Sequence, residues 1–219
     1  MSILLINKTY AAHKSNFSGQ EDNIMAFSAD SPILSNSIQG TPEQCSRFML
    51  ARQHGEYNEN DLMNSIVPAY FSVCASVGME PVMLLAQMIH ETGCLTSWWS
   101  QRPRRNPAGI GVTGRTGADQ PAIGAWAIRD GSWAEGVAFP SWKDDSIPAH
   151  AGRLLAYALR DDQANDQQHA MIARAMSYRP LPASFRGAAP TWRGLNGRWA
   201  VPGTTYADKI AEIANKMIS

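Results

Sequence analysis

The sequence predicts an α+β fold that is mainly α-helical and carries a small β-hairpin lobe. Two observations lead to this class. Apolar residues recur at helical spacing in several segments on both sides of the chain's middle. Residues 108–142 lack that spacing, are rich in glycine and contain Asp130-Gly131 between two short apolar runs, a dipeptide typical of two-residue hairpin turns.

The length and net charge of the chain limit the number of domains and the classes of partner to be expected. With 219 residues, of which 44% are hydrophobic, the chain can bury the core of one compact domain and still carry an extension. Lys+Arg and Asp+Glu both number 19, so the net charge is zero and no overall field attracts nucleic acid or an acidic membrane surface. We therefore expect a monomer with neither nucleic acid nor a membrane as partner.

The N-terminal part differs in composition from the rest. Residues 1–40 are rich in Ser, Asn, Gly and Gln without sustained periodicity, which predicts an N-terminal arm before a folded domain of residues 41–219. The first residues lack the charged and apolar regions of a classical secretory signal, and no apolar stretch is long enough to span a membrane. The sequence therefore predicts a soluble chain whose export or release route it does not reveal.

Three helices are expected in the first half of the domain. Thr41, Pro42 and Gln44 form a strong helix start, and that helix should end near Gly55. Residues 64–78 predict a second helix, with a proline in its first turn or at a kink. The third, PVMLLAQMIHET, is apolar on nearly every face and ends before glycine, so it should lie at the centre of the protein.

Three further helices follow the hairpin region. Ser146 is expected to cap a helix over residues 147–162, and a short helix should cover residues 169–176. Thr205 and Asp208 form a capping pattern before a last helix, whose apolar positions recur over residues 210–217.

The end of the predicted central helix carries a candidate acid. Gln87, His90 and Glu91 share one stripe because they are separated by three and four residues. Glu91 lies in the last turn, where the helix dipole and partial burial should disfavour the carboxylate and raise the carboxyl pKa. A raised pKa suits a general acid at neutral pH, although such a stripe is also typical of the solvated edge of a helix.

The segment TSWWSQRPRRNPAGIGVTG follows this stripe and indicates a lined groove, since two tryptophans and a glycine-rich turn come directly after Glu91. Its arginines, Arg102, Arg104 and Arg105, could bind nucleic acid together with the tryptophans, bind carboxylates of peptides, or pair with nearby acids. The chain has no H-E-x-x-H motif, and its three cysteines lack zinc-ligand spacing. We expect no metal and no cofactor.

Four separated motifs together resemble the bacterial glucosaminidase domain of peptidoglycan hydrolases over roughly residues 41–219. They are AQMIHETGCLTSWWS, RNPAGIGVTG, FPSWKDDSIPAHAGRLLAYA and LNGRWAVPGTTYADKI. The resemblance implies a lysozyme-like fold and hydrolysis of the β-1,4 bond after N-acetylglucosamine in peptidoglycan glycan strands. It also implies action at the bacterial cell wall or outside the cell.

The resemblance also implies site residues. The family's catalytic glutamate corresponds to Glu91, and the family's floor of the cleft corresponds to Asn106 and Gly109. Where the family usually has two tyrosines near the last helix, this chain has Trp199 and Tyr206, and the resemblance implies that both contact the substrate. The change to tryptophan keeps an aromatic surface but removes a hydroxyl, which puts a hydrogen-bonding role at this position in doubt.

A second carboxylate is harder to place. Glu135 is the candidate for a second catalytic group, because a turn at Asp130-Gly131 pairs it opposite Trp126, where it either lines the cleft or faces water. Asp119 and Asp130 are the other acids of the region, and turn geometry explains Asp130. Without a second carboxylate, the substrate's own N-acetyl group could take that role, so the stereochemistry stays open.

A further substrate contact is expected from Trp99, whose ring can stack on the apolar face of a sugar. Another is expected from Gln87, which shares the stripe of Glu91, although its position is equally consistent with orienting Glu91 or with a structural role. Two other functions remain as alternatives. One is a lytic transglycosylase, which cuts after N-acetylmuramic acid and forms an anhydro sugar. The other is a non-catalytic wall-binding or structural module that keeps the cleft without turnover.

Overall fold

The computed structural model describes residues 27–219, and within this range the chain forms seven α-helices and one three-stranded antiparallel sheet. The helices are α1 Pro42–Leu50, α2 Glu59–Asp61, α3 Val67–Val77, α4 Pro81–Thr92, α5 Ile147–Ala158, α6 Asp166–Tyr178 and α7 Tyr206–Ile218. The strands are β1 Thr116–Gly117, β2 Trp126–Arg129 and β3 Ser132–Glu135. The predicted class is confirmed, and it is consistent with the lysozyme-like fold that the resemblance implies.

Helix α4 lies at the centre, as its all-round apolarity predicts. Nearly all of its residues are buried, Leu84 and Leu85 completely, and it packs against α3 and α7. Burying a leucine side chain contributes roughly 1.5–3 kcal/mol, so this helix anchors the core. Glu80 caps its start, and Gly93 ends it with φ of 58°, a conformation that glycine adopts without strain.

The β hairpin forms where the sequence predicts it. Asp130 and Gly131 both have positive φ, 53° and 82°, as a two-residue primed turn requires. The register places Trp126 opposite Glu135, as expected. Strand β1 was not predicted; it pairs with the outer side of β3 and, at two residues, is too short to show alternation.

Several predicted helix ends are wrong by a few residues. Helix α1 ends at Leu50 rather than near Gly55. Ser146 does not cap α5, because it lies inside a π-helical turn, Trp142–Ser146, whose cap is Ser141. Thr205 precedes α7 but its side chain makes no capping hydrogen bond. Helix ends fray and often pass into other turns, so local patterns place them less accurately than they place the helix itself.

The predicted arm does not end at Gly40. Phe27 and Ile33 are buried in the main core, and Leu34 forms an isolated antiparallel bridge with Met79. Residues 27–40 therefore belong to the packed domain, because their apolar side chains cover the start of α4. Residues 1–26 of the predicted arm lie outside the described residues.

The three cysteines, Cys45, Cys74 and Cys94, are buried free thiols. Across residues 27–219, no helix combines the length and the apolar character needed to cross a bilayer.

Candidate active site

A cleft of about 330 Å³ lies between the helical body and the turn that precedes the β lobe. Its helical side comprises the end of α4, one face of α5 and the segment before α7, and its other side is the glycine-rich turn. The residues that line this cleft are Glu91, Ala108, Gly109, Ile110, Gly111, Val112, Arg153, Tyr157, Arg179, Arg198 and Trp199.

Glu91 is the only carboxyl group among those lining residues. Its Oε1 accepts two hydrogen bonds, one from the Tyr206 hydroxyl at 2.5 Å and one from the indole Nε1 of Trp199 at 2.9 Å. No other described residue donates a hydrogen bond to Oε2. One oxygen of the carboxyl group is therefore held in place by two side chains, while no described donor holds the other.

Burial raises the pKa of the Glu91 carboxyl above its usual value. The hydrogen bond from Tyr206, the charge of His90 and the hydrogen bond from Trp199 each lower that pKa and so offset part of the effect. The net upward direction agrees with the sequence-based expectation. Such a carboxyl group can hold a proton closer to neutral pH than an exposed glutamate can.

Tyr206 is buried and does not line the cleft, so it supports Glu91 instead of contacting the substrate as predicted. Its hydroxyl is itself held by a buried chain of hydrogen bonds. Gln87 Nε2 donates to the Tyr206 oxygen at 2.7 Å, so the Tyr206 hydroxyl proton points at Glu91. Gln87 Oε1 then accepts from His150 Nε2 at 3.0 Å, and the unprotonated Nδ1 of His150 accepts from the Tyr70 hydroxyl at 3.2 Å. Every donor in this chain points toward Glu91.

His150 can serve in this chain because it is neutral. The ring is fully buried, which lowers its pKa to about 3. A neutral imidazole is a donor on one nitrogen and an acceptor on the other, as the chain requires. The chain joins α3, α5, α4 and α7, so the orientation of Tyr206 is set by the packing of four helices.

The expectation that Gln87 contacts the substrate is therefore not met. Gln87 is completely buried, so in this structure it supports Tyr206 and has no surface with which to touch a substrate. His90, its neighbour in the stripe, is exposed and packs edge-on against the Tyr206 ring at 5.5 Å.

Trp199 makes the hydrogen bond that its change from tyrosine put in doubt. The indole N–H takes the place of a hydroxyl as a donor to Glu91, and the half-buried ring lines the cleft. Indole nitrogen is a donor only, so it cannot compete for the carboxyl proton.

Asn106 supports the turn instead of facing the cleft. Its side chain is fully buried and bonded only to backbone: Nδ2 donates to the carbonyls of Ile110 and Val137, at 2.8 and 3.0 Å, and Oδ1 accepts from the amides of Ala108 and Ile110. With these contacts its hydrogen-bonding groups are satisfied within the protein. Gly109, which has φ of 60°, does line the cleft as predicted.

Glu135 and Trp99 line a second depression beside the cleft. Val112 borders both, so the two hollows adjoin. Glu135 accepts a hydrogen bond from the Thr113 hydroxyl and lies 3.5 Å from Arg115. Trp99 packs so closely on the backbone of Gly136 that any side chain there would collide with its ring. The structure thus brings Trp99 and Glu135 together, but beside Glu91's cleft rather than within it.

The three arginines after the tryptophans have partners inside the domain. Arg102 pairs with Asp61 at 2.6 Å, Arg104 donates to the carbonyl of Trp98, and Arg105 donates to the carbonyl of Pro103. Pairing with a nearby acid was one of the three expectations and holds for Arg102. Within residues 27–219, no group of three or more His, Cys, Asp or Glu side chains is gathered as metal ligands.

Sequence reasoning missed four cleft-lining residues with charged or polar side chains: Arg153, Tyr157, Arg179 and Arg198. For Arg153 and Tyr157, the spacing of polar residues in the sequence could have pointed to the cleft. His150, Arg153 and Tyr157 follow one another at spacings of three and four within an otherwise apolar helix, so they share a polar stripe on α5. Arg179 and Arg198 lie outside helices, where no periodicity could have pointed to the cleft.

Comparisons with known proteins give limited support. No model of a known protein family matches the sequence, and no curated protein matches it significantly. Among solved structures, the chain is similar to the catalytic domain of the autolysin Auto from Listeria monocytogenes, with 21% identity over 82% of this chain and 88% of that one, and a TM-score of 0.42. The proposals below rest on the geometry of the cleft and on the four sequence motifs.

Proposed function

We propose that this protein is a peptidoglycan hydrolase that cleaves the β-1,4 bond after N-acetylglucosamine in the glycan strands of the bacterial cell wall. The observation that carries the proposal is the state of Glu91, a half-buried carboxyl group in a cleft, with one oxygen held by Tyr206 and Trp199 and the other open to a ligand. The four sequence motifs that resemble glucosaminidase domains supply the substrate class.

Glu91 acts as the general acid. Its Oε2 donates a proton to the glycosidic oxygen as the bond to the anomeric carbon lengthens and that carbon gains positive charge. The two donors at Oε1 stabilise the carboxylate that remains once the proton has left. Because Trp199 and Tyr206 are already oriented before the reaction, little reorganisation is needed when that charge develops.

The group that stabilises the anomeric carbon is either Glu135 or the substrate's own N-acetyl oxygen. Glu135 lies in the adjoining depression next to Trp99, so a glycan strand that runs through both hollows would pass close to it. We propose Glu135 as the second carboxylate, and Gly109, Trp99 and Trp199 as surfaces that contact the sugars.

The test is digestion of purified peptidoglycan by the wild-type protein and by Glu91→Gln, with products identified by mass spectrometry. We expect new reducing ends on N-acetylglucosamine, and a rate at least about 100-fold lower in the variant, since a positioned acid contributes roughly 10²–10⁴-fold. Exposed Glu59→Gln, a change of the same kind on α2, serves as the matched control and should keep the wild-type rate.

Two outcomes would contradict the proposal. Products ending in anhydro-muramic acid would identify a lytic transglycosylase instead. Binding to cell-wall sacculi without release of reducing ends would identify a binding module.

A further inference from the structure

Three arginines gather on the helical side of the cleft beside Glu91. Arg153 extends from α5, Arg179 follows α6, and Arg198 precedes Trp199 in the segment before α7. We call Arg153, Arg179 and Arg198 the arginine cluster. Together with the single carboxyl group of Glu91, they give the cleft an excess of positive charge in a chain whose net charge is zero.

The charges of the cluster are not neutralised by the described part of the chain. Arginines elsewhere, such as Arg174 and Arg193, form ion pairs at 2.5 and 2.6 Å. Within residues 27–219 no carboxylate lies within ion-pair distance of any member of the cluster. An anion bound at the cluster would therefore supply a charge that the fold does not.

Most hydrogen-bond donors of the cluster are also unused. Arg153 Nη1 donates to the carbonyl of Arg179 at 2.9 Å, and Arg198 Nη1 donates to the carbonyl of Gly194 at 2.9 Å. Each guanidinium carries five N–H donors in a planar fork that matches a carboxylate. The cluster thus keeps free donors on the surface of the cleft.

Arg153 carries its charge in a partly buried position beside a second arginine. Burial is the main cause that lowers the pKa of its guanidinium, and the nearby charge of Arg179 lowers that pKa further. The guanidinium also lies about 6 Å from the rings of Tyr157 and Trp199, which keep it beside the cleft. The opposite charge of a bound anion would favour the charged guanidinium and so offset both effects.

We propose that the arginine cluster is a carboxylate-binding subsite, which recognises an acidic group carried by the muramic acid residue next to the bond that is cut. The proposal rests on the proposed function for the identity of the polymer. Two sources of the carboxylate share this chemistry: the lactyl group of muramic acid where no peptide is attached, and the peptide stem where it is. A neutral polymer of N-acetylglucosamine lacks both.

Binding can be measured without turnover by using the Glu91→Gln variant. Short peptide-free glycan strands carry lactyl carboxylates, and conversion of these to methylamides removes the charge while leaving the sugar chain intact. Strands with intact peptide stems, before and after the same conversion, form the second pair. Affinities for all four ligands are measured by calorimetric titration at low and high salt.

We expect Glu91→Gln to bind the acidic member of one pair about 10-fold more tightly than its amidated partner, since hydrogen bonds to charged groups are among the strong ones. The pair that shows the preference identifies the source of the carboxylate. Adding Arg179→Gln or Arg198→Gln should reduce the preference at least about threefold, and high salt should weaken it. Adding Arg52→Gln, an exposed arginine of the segment after α1, should leave it unchanged.

Arg179 and Arg198 are exposed, so their substitution should not prevent folding, which an unchanged unfolding midpoint would verify. Equal affinities for acidic and amidated strands in both pairs would overturn the proposal. Turnover of glycan by the wild-type protein without such a preference would reject the subsite but keep the hydrolase. A preference without turnover would keep the subsite and reject the hydrolase.

Discussion

The indole nitrogen of Trp199 lies 2.9 Å from Oε1 of Glu91, a contact between residues 108 positions apart in the sequence. The indole N–H donates a hydrogen bond but accepts none, so it does not compete for the proton of the carboxyl group that we propose as the proton donor. Tyr206 donates to the same oxygen, so both described donors meet Oε1 and none meets Oε2.

Replacing Trp199 with phenylalanine should move the alkaline limb of the pH–rate profile to higher pH. The hydrogen bond from Trp199 lowers the pKa of Glu91, so its loss raises that pKa. A general acid works while it is protonated, and its activity is lost as pH rises through its pKa. The profile of kcat/KM against pH, measured on peptidoglycan, tests the shift. At the pH optimum, we expect kcat/KM of the variant to be about 10-fold lower than that of the wild type.

Trp126→Phe is the matched control for that experiment. Its indole nitrogen donates to the carbonyl of Ile123 within the β lobe and does not contact Glu91. A similar shift in both variants, or a shift to lower pH in Trp199→Phe, would contradict the assigned role of the indole.

Replacing Tyr206 with phenylalanine should raise the pKa of the Glu91 carboxyl, since the hydrogen bond from Tyr206 lowers that pKa. The effect can be followed without substrate from the ¹³C chemical shift of the labelled Glu91 carboxyl during a pH titration. The variant also leaves the buried Nε2 of Gln87 without its acceptor, so the free energy of unfolding should fall by about 1–3 kcal/mol.

Tyr157→Phe removes a hydroxyl from the same cleft without touching Glu91, because that hydroxyl faces the carbonyl of Arg198 at 3.5 Å. It should leave the titration of Glu91 at its wild-type position. An unchanged titration in Tyr206→Phe would show that the short contact in the structure has no electrostatic consequence.

Replacing Asn106 with alanine should destabilise the protein by about 2–4 kcal/mol, because the buried side chain satisfies backbone groups of the turn and of Val137. Urea unfolding measures the loss. Asn64→Ala, whose exposed amide bonds only to Asn60, should cost less than about 0.5 kcal/mol. If Asn106 instead contacts substrate, its replacement would raise KM and leave the unfolding midpoint near that of the wild type.

Glu80 should make stability fall as pH rises from about 4.5 to about 7. Burial raises the pKa of this carboxyl to about 7, although hydrogen bonds from the amides of Val82 and Gln39 oppose the change. A folded-state pKa above the unfolded one means that the native state binds the proton more tightly, so the stabilisation is complete at low pH and is lost through this window.

The comparison that isolates the effect is the difference in unfolding free energy between wild type and Glu80→Gln at pH 4.5 and at pH 8. Because one pKa unit corresponds to about 1.4 kcal/mol, the difference should change by up to about 3 kcal/mol, with the wild type relatively more stable at low pH. Protonation of His150 changes the unfolding free energy in the opposite direction, but equally in both proteins, so its contribution cancels in the difference. A difference that does not vary with pH would show that folding does not shift the pKa of Glu80.

Local patterns in the sequence were sufficient wherever the structure depends on near neighbours. The hairpin at Asp130-Gly131 and its register follow from two residues that accept positive φ. The two-residue strand β1 and the cap at Ser141 could not be predicted in the same way, since each depends on a partner that only the folded chain supplies.

In the candidate site too, some residues could be predicted from local spacing and others only from the packing of the helices. Spacing within one helix is enough to place Glu91 at the exposed end of a buried helix, and the glycine-rich turn places Gly109 opposite it. The same spacing groups Gln87 with Glu91 but does not distinguish a residue that faces the cleft from one that faces α5 and α7. That distinction needs the helix packing, which buries Gln87 completely.

By itself, the sequence determined the mainly helical class, the central position of α4 and the carboxyl group at its end, because each depends on residues within a few turns of one another. Only the tertiary structure decided what surrounds that carboxyl group. Trp199 and Tyr206 reach Glu91 from 108 and 115 residues away, and the arginine cluster comes from three separate segments. Hydrogen bonds and close charge interactions act over a few ångströms. The number of residues between two positions in the sequence does not show whether they will be neighbours in the folded chain.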